Sequence, residues 1–166
     1  MNLRAALAAL ALAVPLATPC PAWADEVAPV PEPTSAPGYL DRARELVVQA
    51  LSLIGVRYKF GGNSPDSGLD CSGFVNYVFR QAEGKQLPRD AVAMSKVGDK
   101  VDAPDLQPGD LVFFNTRRRP YSHVGIYVGE QRFIHAPSRG REVEVVDMTD
   151  RYWRTRYNGA RRVSPP

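Results

Sequence analysis

A chain of 166 residues holds one domain plus short appendages and excludes a pair of full domains. Its 21 Lys and Arg against 18 Asp and Glu leave a net charge of +3. With no nucleic-acid-binding motif and no interleaving of Arg with stacking aromatics, that charge gives no reason to expect DNA or RNA as a partner.

The first 24 residues read as a secretory signal peptide. Residues 1–4 carry one positive charge, and residues 5–16 form an apolar run too short for a comfortable bilayer span. Ala22-Trp23-Ala24 fits the small-residue cleavage pattern, so the mature chain would start at Asp25 with no integral span. Two alternatives stand beside this: a retained anchor, and a lipoprotein tethered to the membrane through Cys20. Pro19 speaks against lipidation, because a small residue is expected before the lipidated cysteine. Cleavage removes Cys20 and leaves Cys71 alone. In an exported chain a lone cysteine points to a reactive thiol or an intermolecular bridge. Residues 25–38, DEVAPVPEPTSAPG, read as a Pro/Ala-rich linker, which places the domain at residues 39–166.

Within that domain, Leu40, Ala43, Leu46, Val47, Ala50, Leu51 and Ile54 keep helical spacing, and Gly55 ends the helix. Residues 56–60 are short and β-like, and residues 61–68 form a Gly-rich loop. A second helix follows Asp70, with Phe74, Val75, Val78, Phe79 and Ala82 on one stripe and Gly84 as the stop. Asp90 would cap a short helix over residues 91–97, and residues 102–109 read as a turn-rich connector. Residues 110–115, 122–128, 132–136, 142–146 and 156–163 read as strands, with a helical turn at 150–153. Helices first and strands later predict an α+β domain, with N-terminal helices packed on a mostly antiparallel sheet of about five strands.

The stretch Leu69-Asp70-Cys71-Ser72-Gly73 puts a cysteine in the first turn of the second helix. Unpaired N–H groups and the positive end of the helix dipole favour thiolate there, and thiolate is the nucleophile. The bland alternative is a small, inert, buried cysteine. Asp70 is read as a helix cap in preference to a catalytic group. A nucleophile needs a base, and the base an orienting partner. The chain has two histidines, His123 and His135, both in the expected hairpin. If that hairpin centres on Gly129, residues 123 and 135 face each other on one side. A two-residue turn at 129–130 would instead turn His135 to the opposite face. In the productive register His123 would deprotonate Cys71 and His135 would orient His123. Backbone N–H groups at the helix start, with the Tyr58 phenol, would hold the oxyanion. A Cys/His/His set also suits zinc, but no close ligand pair occurs, so neither metal nor cofactor is expected. Arg117, Arg118 and Arg119 form a basic loop before His123: either a solvated charge run or a recognition site for substrate carboxylates.

Four blocks then resemble the NlpC family of papain-like cysteine peptidases of the bacterial cell wall. They are the stretch from Gly55-Val56-Arg57-Tyr58 through the Cys71 pentapeptide, Leu87-Pro88-Arg89 with Pro108-Gly109-Asp110, Ser122-His123-Val124-Gly125, and Phe133-Ile134-His135-Ala136. The tail from Tyr152-Trp153 is similar as well. The resemblance implies a papain-like fold with Cys71 as nucleophile, His123 as base and His135 as third polar residue. It also implies Tyr58 and Ser72 lining the site, and peptidoglycan stem peptides as substrate. Family members often carry Pro where Val56-Arg57 stands, a departure that bears on the Tyr58 loop. The expected activity is an exported peptidoglycan endopeptidase, monomeric, in the periplasm or secreted to the wall. The alternatives are an amidase or acyltransferase using the same Cys/His site, or a non-catalytic wall-binding protein.

Overall fold

The computed structural model describes residues 38–116 and 119–163. The expected signal peptide, Cys20, the linker up to residue 37, Arg117 and Arg118 lie outside the described residues. No helix among the described residues is long and apolar enough to cross a membrane.

Helix α1 spans Tyr39–Leu51 and buries Ala43, Leu46 and Ala50. It stops one turn short of the expected end, so Ile54 falls in a turn and is exposed. A two-stranded antiparallel ribbon, β1 (Asn63–Ser64) and β2 (Gly68–Leu69), occupies the Gly-rich loop. Residues 57–58 contribute single bridges, Arg57 to Glu142 and Tyr58 to Leu69, in place of a full strand. Helix α2 covers Cys71–Glu83 and buries Phe74, Val75, Val78 and Phe79, the stripe that the spacing predicts. Gly84 closes it in the left-handed conformation at φ 64°. Helix α3 is one turn, Ala91–Met94, shorter than expected, with the Asp90 carboxylate accepting from Ala93 N–H at 2.9 Å.

Six further strands build the main sheet: β3 Asp99–Val101, β4 Leu111–Phe114, β5 His123–Gly129, β6 Arg132–His135, β7 Glu144–Asp147 and β8 Tyr157–Arg162. Their order is β3-β8-β4-β5-β6-β7, and every pairing is antiparallel. The strand that sequence pattern does not reveal is β3. Its three residues carry no alternation, and it exists because β8 offers an edge to pair with. Helix α4 is the turn Arg151–Arg154.

Strand alternation splits the interior into two layers. Leu111, Phe113, Val124, Ile126 and Ile134 pack with α1 and α2. Val112, Phe114, Tyr127 and Phe133 face the other way, joined by Trp153 and Tyr157. Asp110, fully buried at the mouth of β4, is clamped by Arg162 Nε and Nη2, both at 2.8 Å, which ties β8 to β4.

The α2 N-terminus is held against the Gly-rich loop with no room to spare. A Cβ on Gly73 would lie 2.0 Å from the Gly62 carbonyl oxygen. Gly73→Ala is expected to destabilise the fold by about 1–3 kcal/mol through forced overpacking, and to displace Cys71 with its helix turn. Urea unfolding and thiol alkylation of the same variant measure the two effects separately.

Candidate active site

Asp70 organises the start of α2. Its Oδ1 accepts from Gly73 N–H (2.7 Å), Ser72 Oγ (3.1 Å) and Arg89 Nη1 (3.0 Å). Its Oδ2 accepts from Gly61 N–H (3.0 Å) and Arg89 Nη2 (2.8 Å). The cap role expected for Asp70 is thus present but is only part of what it does. One carboxylate joins the helix, the Gly-rich loop and the segment before α3. Burial pushes the Asp70 pKa up, but the Arg89 hydrogen bonds, the Gly73 N–H, the guanidinium charge and the Ser72 hydroxyl outweigh it, and the group sits below the usual carboxylate range. Arg89 also donates to Ser72 Oγ at 2.7 Å, so Ser72 faces Asp70 and Arg89. Cys71 sits half-buried on this platform and forms no disulfide among the described residues.

Both histidines are buried, and they meet: His123 Nε2 and His135 Nδ1 are 2.7 Å apart. The expected direct opposition across the hairpin does not occur, and the physical route is different. The loop is the two residues Glu130 and Gln131, with φ of 51° and 56°, the left-handed pair of a type I′ turn. That loop alone would send the two side chains to opposite faces. Tyr127 pairs with Phe133 while Gly129 pairs with Arg132, so Val128 is an extra residue in β5. This bulge shifts the register by one and restores the parity. Extending the Ile126–Ile134 pairing by one residue sets His135 level with Gly125, and the histidines become diagonal neighbours. A side chain at 125 would not fit, because a Cβ there would lie 2.6 Å from the Phe133 ring and 2.8 Å from the Ile134 oxygen.

Trp153 of α4 covers the pair. Its indole lies over His123, with centroids 5.8 Å apart and planes at 27°, and meets His135 edge-on at 4.9 Å. On the far side of His135, Glu144 Oε1 lies 3.7 Å from Nε2, and Arg141 Nη2 lies 2.5 Å from the same oxygen. Burial first, then the neighbouring His123 and Arg141, push the His135 pKa down to about 2, so the ring is neutral at ordinary pH.

Two hollows meet at Tyr58, Cys71 and Ser122. One, about 470 Å³, has Cys71 and His123 in its walls together with Arg141, Glu144, Tyr152 and Trp153. The other, about 630 Å³, runs past Asp70, Ser72, Arg89 and Arg119. Tyr58 belongs to both walls, and its loop is tied down: Tyr58 N–H donates to the Arg141 carbonyl at 2.8 Å and Leu69 N–H to the Arg57 carbonyl at 3.0 Å. With Val56-Arg57 in the segment expected to carry Pro, Tyr58 still lines the same two hollows as Cys71. Arg119 is exposed on the rim of the second hollow. Reading the sequence residue by residue did not single out Arg141, Glu144 or Trp153 as part of the site. The alternation Glu142, Val143, Glu144 marks a strand, and nothing local says that one of its carboxylates faces a buried histidine.

A cysteine heading a helix, sharing a cleft with a buried histidine pair on an antiparallel sheet, defines an α+β protein of papain-like architecture. The chain belongs to the NlpC/P60 family: the family model matches residues 55–162. It is 47% identical over 118 residues to the gamma-DL-glutamyl hydrolase of Bacillus subtilis, covering 70% of this chain and 28% of that protein. It is 41% identical over 116 residues to the murein DD-endopeptidase MepH of Escherichia coli, covering 68% and 43%. An NlpC/P60 family protein from Bacillus cereus superposes with a TM-score of 0.70 at 33% identity, covering 79% of this chain and 42% of the other. The chain thus spans less than half the length of these relatives.

Proposed function

We propose that the protein is an exported peptidoglycan hydrolase that cuts peptide bonds in murein stem peptides or cross-links by Cys-His-His catalysis. The observation that carries this reading is the 2.7 Å histidine pair, one member of which shares a cleft with the helix-borne Cys71. Names of two relatives, a murein DD-endopeptidase and a gamma-DL-glutamyl hydrolase, support amide hydrolysis in that class of substrate. The leader expected at residues 1–24 supports action outside the cytoplasm.

In this mechanism the Cys71 thiolate attacks the scissile carbonyl, and the oxyanion is met by Cys71 N–H and the Tyr58 phenol. The imidazolium of His123 gives its proton to the leaving amine. Water, deprotonated by His123, then attacks the thioester, and the new carboxylate leaves with Cys71 restored. His135 stays neutral and accepts the His123 Nε2–H, which holds the base in one orientation. Arg119 at the rim suits a substrate carboxylate.

The test is a digest of purified murein with the chain from Asp25, compared by mass spectrometry with Cys71→Ala. New stem-peptide fragments only with the intact protein are expected, and they name the bond. Cleavage at the sugar–peptide link would replace the reading with an amidase, and acyl transfer to an added amine with a transferase. No fragments from either protein, with reductant present, would favour a wall-binding role.

A further inference from the structure

We propose that Glu144, backed by Arg141, is a positioning residue that selects the tautomer of His135 and thereby decides whether His123 Nδ1 carries the lone pair that serves Cys71. This rests on the proposed Cys71–His123–His135 arrangement and adds a fourth member to it.

His135 is wholly enclosed, with no exposed surface. Its Nδ1 is engaged at 2.7 Å by His123. Its Nε2 is buried and has no hydrogen-bond partner among the described residues, and Glu144 Oε1 is buried with Arg141 as its ion-pair partner. These two atoms face each other at 3.7 Å. That separation is too long for a hydrogen bond. It still leaves a carboxylate aimed at one edge of a neutral imidazole in a shell built from Phe133 and Trp153, where charge–dipole forces are weakly screened.

A neutral imidazole carries one proton, on either nitrogen. With the proton on Nδ1, His135 would present the Nε2 lone pair to the carboxylate oxygen, lone pair against lone pair, and would be a donor toward His123 Nε2. Neutral His123 would then hold its own proton on Nδ1 and have no lone pair there for the thiol. With the proton on Nε2, the N–H dipole points at the carboxylate and Nδ1 accepts from His123 Nε2–H. The lone pair of neutral His123 is then on Nδ1, the nitrogen that His135 does not occupy. Only the second arrangement lets His123 take the Cys71 proton while keeping its bond to His135.

Arg141 completes the logic. Its guanidinium rests on Glu144 Oε1 at 2.5 Å. The pair is close to neutral as a unit, so the carboxylate orients the His135 proton without drawing a second one onto the ring. The charged and titratable groups facing His135 are therefore His123 from β5, Arg141 from the segment before β7 and Glu144 from β7. Helix α4 contributes the Trp153 ring, and Asp150 at its start lines the same hollow.

The experiment is a long-range proton–nitrogen NMR spectrum of the labelled protein near pH 7.5, read together with the rate of Cys71 alkylation by iodoacetamide. The chain has only two histidines, so two imidazoles must be assigned. His135 is expected as the Nε2–H tautomer in the wild type and in Glu144→Gln, whose amide oxygen still accepts. Glu144→Met is expected to give a tautomer mixture and alkylation slower by about tenfold or more, the scale seen when the partner that orients a metal-binding histidine is removed. A wild-type His135 in the Nδ1–H form overturns the proposal without any variant. So does an unchanged tautomer in folded Glu144→Met. If Glu144→Met does not fold, a shift to Nδ1–H in Glu144→Ser, too short to reach the ring, supports the proposal, and an unchanged spectrum overturns it. Neither readout involves murein, so failure of the hydrolase reading would register in the digest and leave this result standing.

Discussion

His123→Gln is expected to cut kcat/KM for stem-peptide cleavage by about 10³-fold or more, the scale of losing a positioned general acid–base. The variant keeps the setting of Cys71. Cys71 still heads α2, and the Asp70–Arg89 platform beneath it is untouched. What disappears is the group that, in the proposed mechanism, takes the thiol proton and later gives it to the amine. An amine expelled without a proton is a poor leaving group, so acylation suffers most. Alkylation of Cys71 near neutral pH should slow as well, because the thiol then depends on the helix terminus alone. His123 is buried against Trp153, so a urea midpoint taken alongside separates lost chemistry from lost fold. A folded variant within tenfold of wild type would remove His123 from the mechanism.

Acid should destabilise the protein from about pH 6.5 downward, well above the range where carboxylates titrate. His135 is neutral in the native state down to about pH 2, because burial and the flanking His123 and Arg141 oppose a second proton. The unfolded chain takes that proton near pH 6.5. Between those two values the unfolded state binds more protons, so stability rises with pH, by about 1.4 kcal/mol per unit for one such group. The contribution is fully present above pH 6.5 and is lost as pH falls toward 2. Asp70, whose pKa is depressed, acts in the same direction but only below about pH 4, where unfolded carboxylates protonate. Urea unfolding at pH 7, 6 and 5 gives the slope. His135→Asn, which still offers an acceptor to His123, should flatten the slope in that window whatever its absolute cost. Equal slopes in the two proteins would show that His135 is not the linked group.

The elements legible in the sequence are those made by neighbours along the chain. Asp70 followed by the stripe of Phe74, Val75, Val78 and Phe79 is enough to place a capped helix with a cysteine at its head, because caps and helical faces are set within one or two turns. The hydrophobic runs around Phe113, Val124 and Ile134 likewise mark buried strands. The family resemblance pointed to the same cysteine and histidines, and the fold it implied is the fold observed.

Other features depend on groups far apart in the chain. Strand β3 has no pattern of its own and forms only against β8. The Arg89 fork on Asp70 joins residues 19 apart. The common face of His123 and His135 turns on a single extra residue, Val128, whose bulge reverses the parity that the two-residue loop would impose. A period-2 pattern cannot announce an insertion that depends on how the partner strand pairs. Glu144 reads as one position in an alternating strand, and its place beside a buried imidazole follows from the β6–β7 register. The sequence by itself determined the capped helix, the cysteine at its head and the α+β class, since these follow from local spacing and capping. The tertiary structure decided which side chains surround the histidines, because sheet register and long-range ion pairs are settled only when distant segments pack.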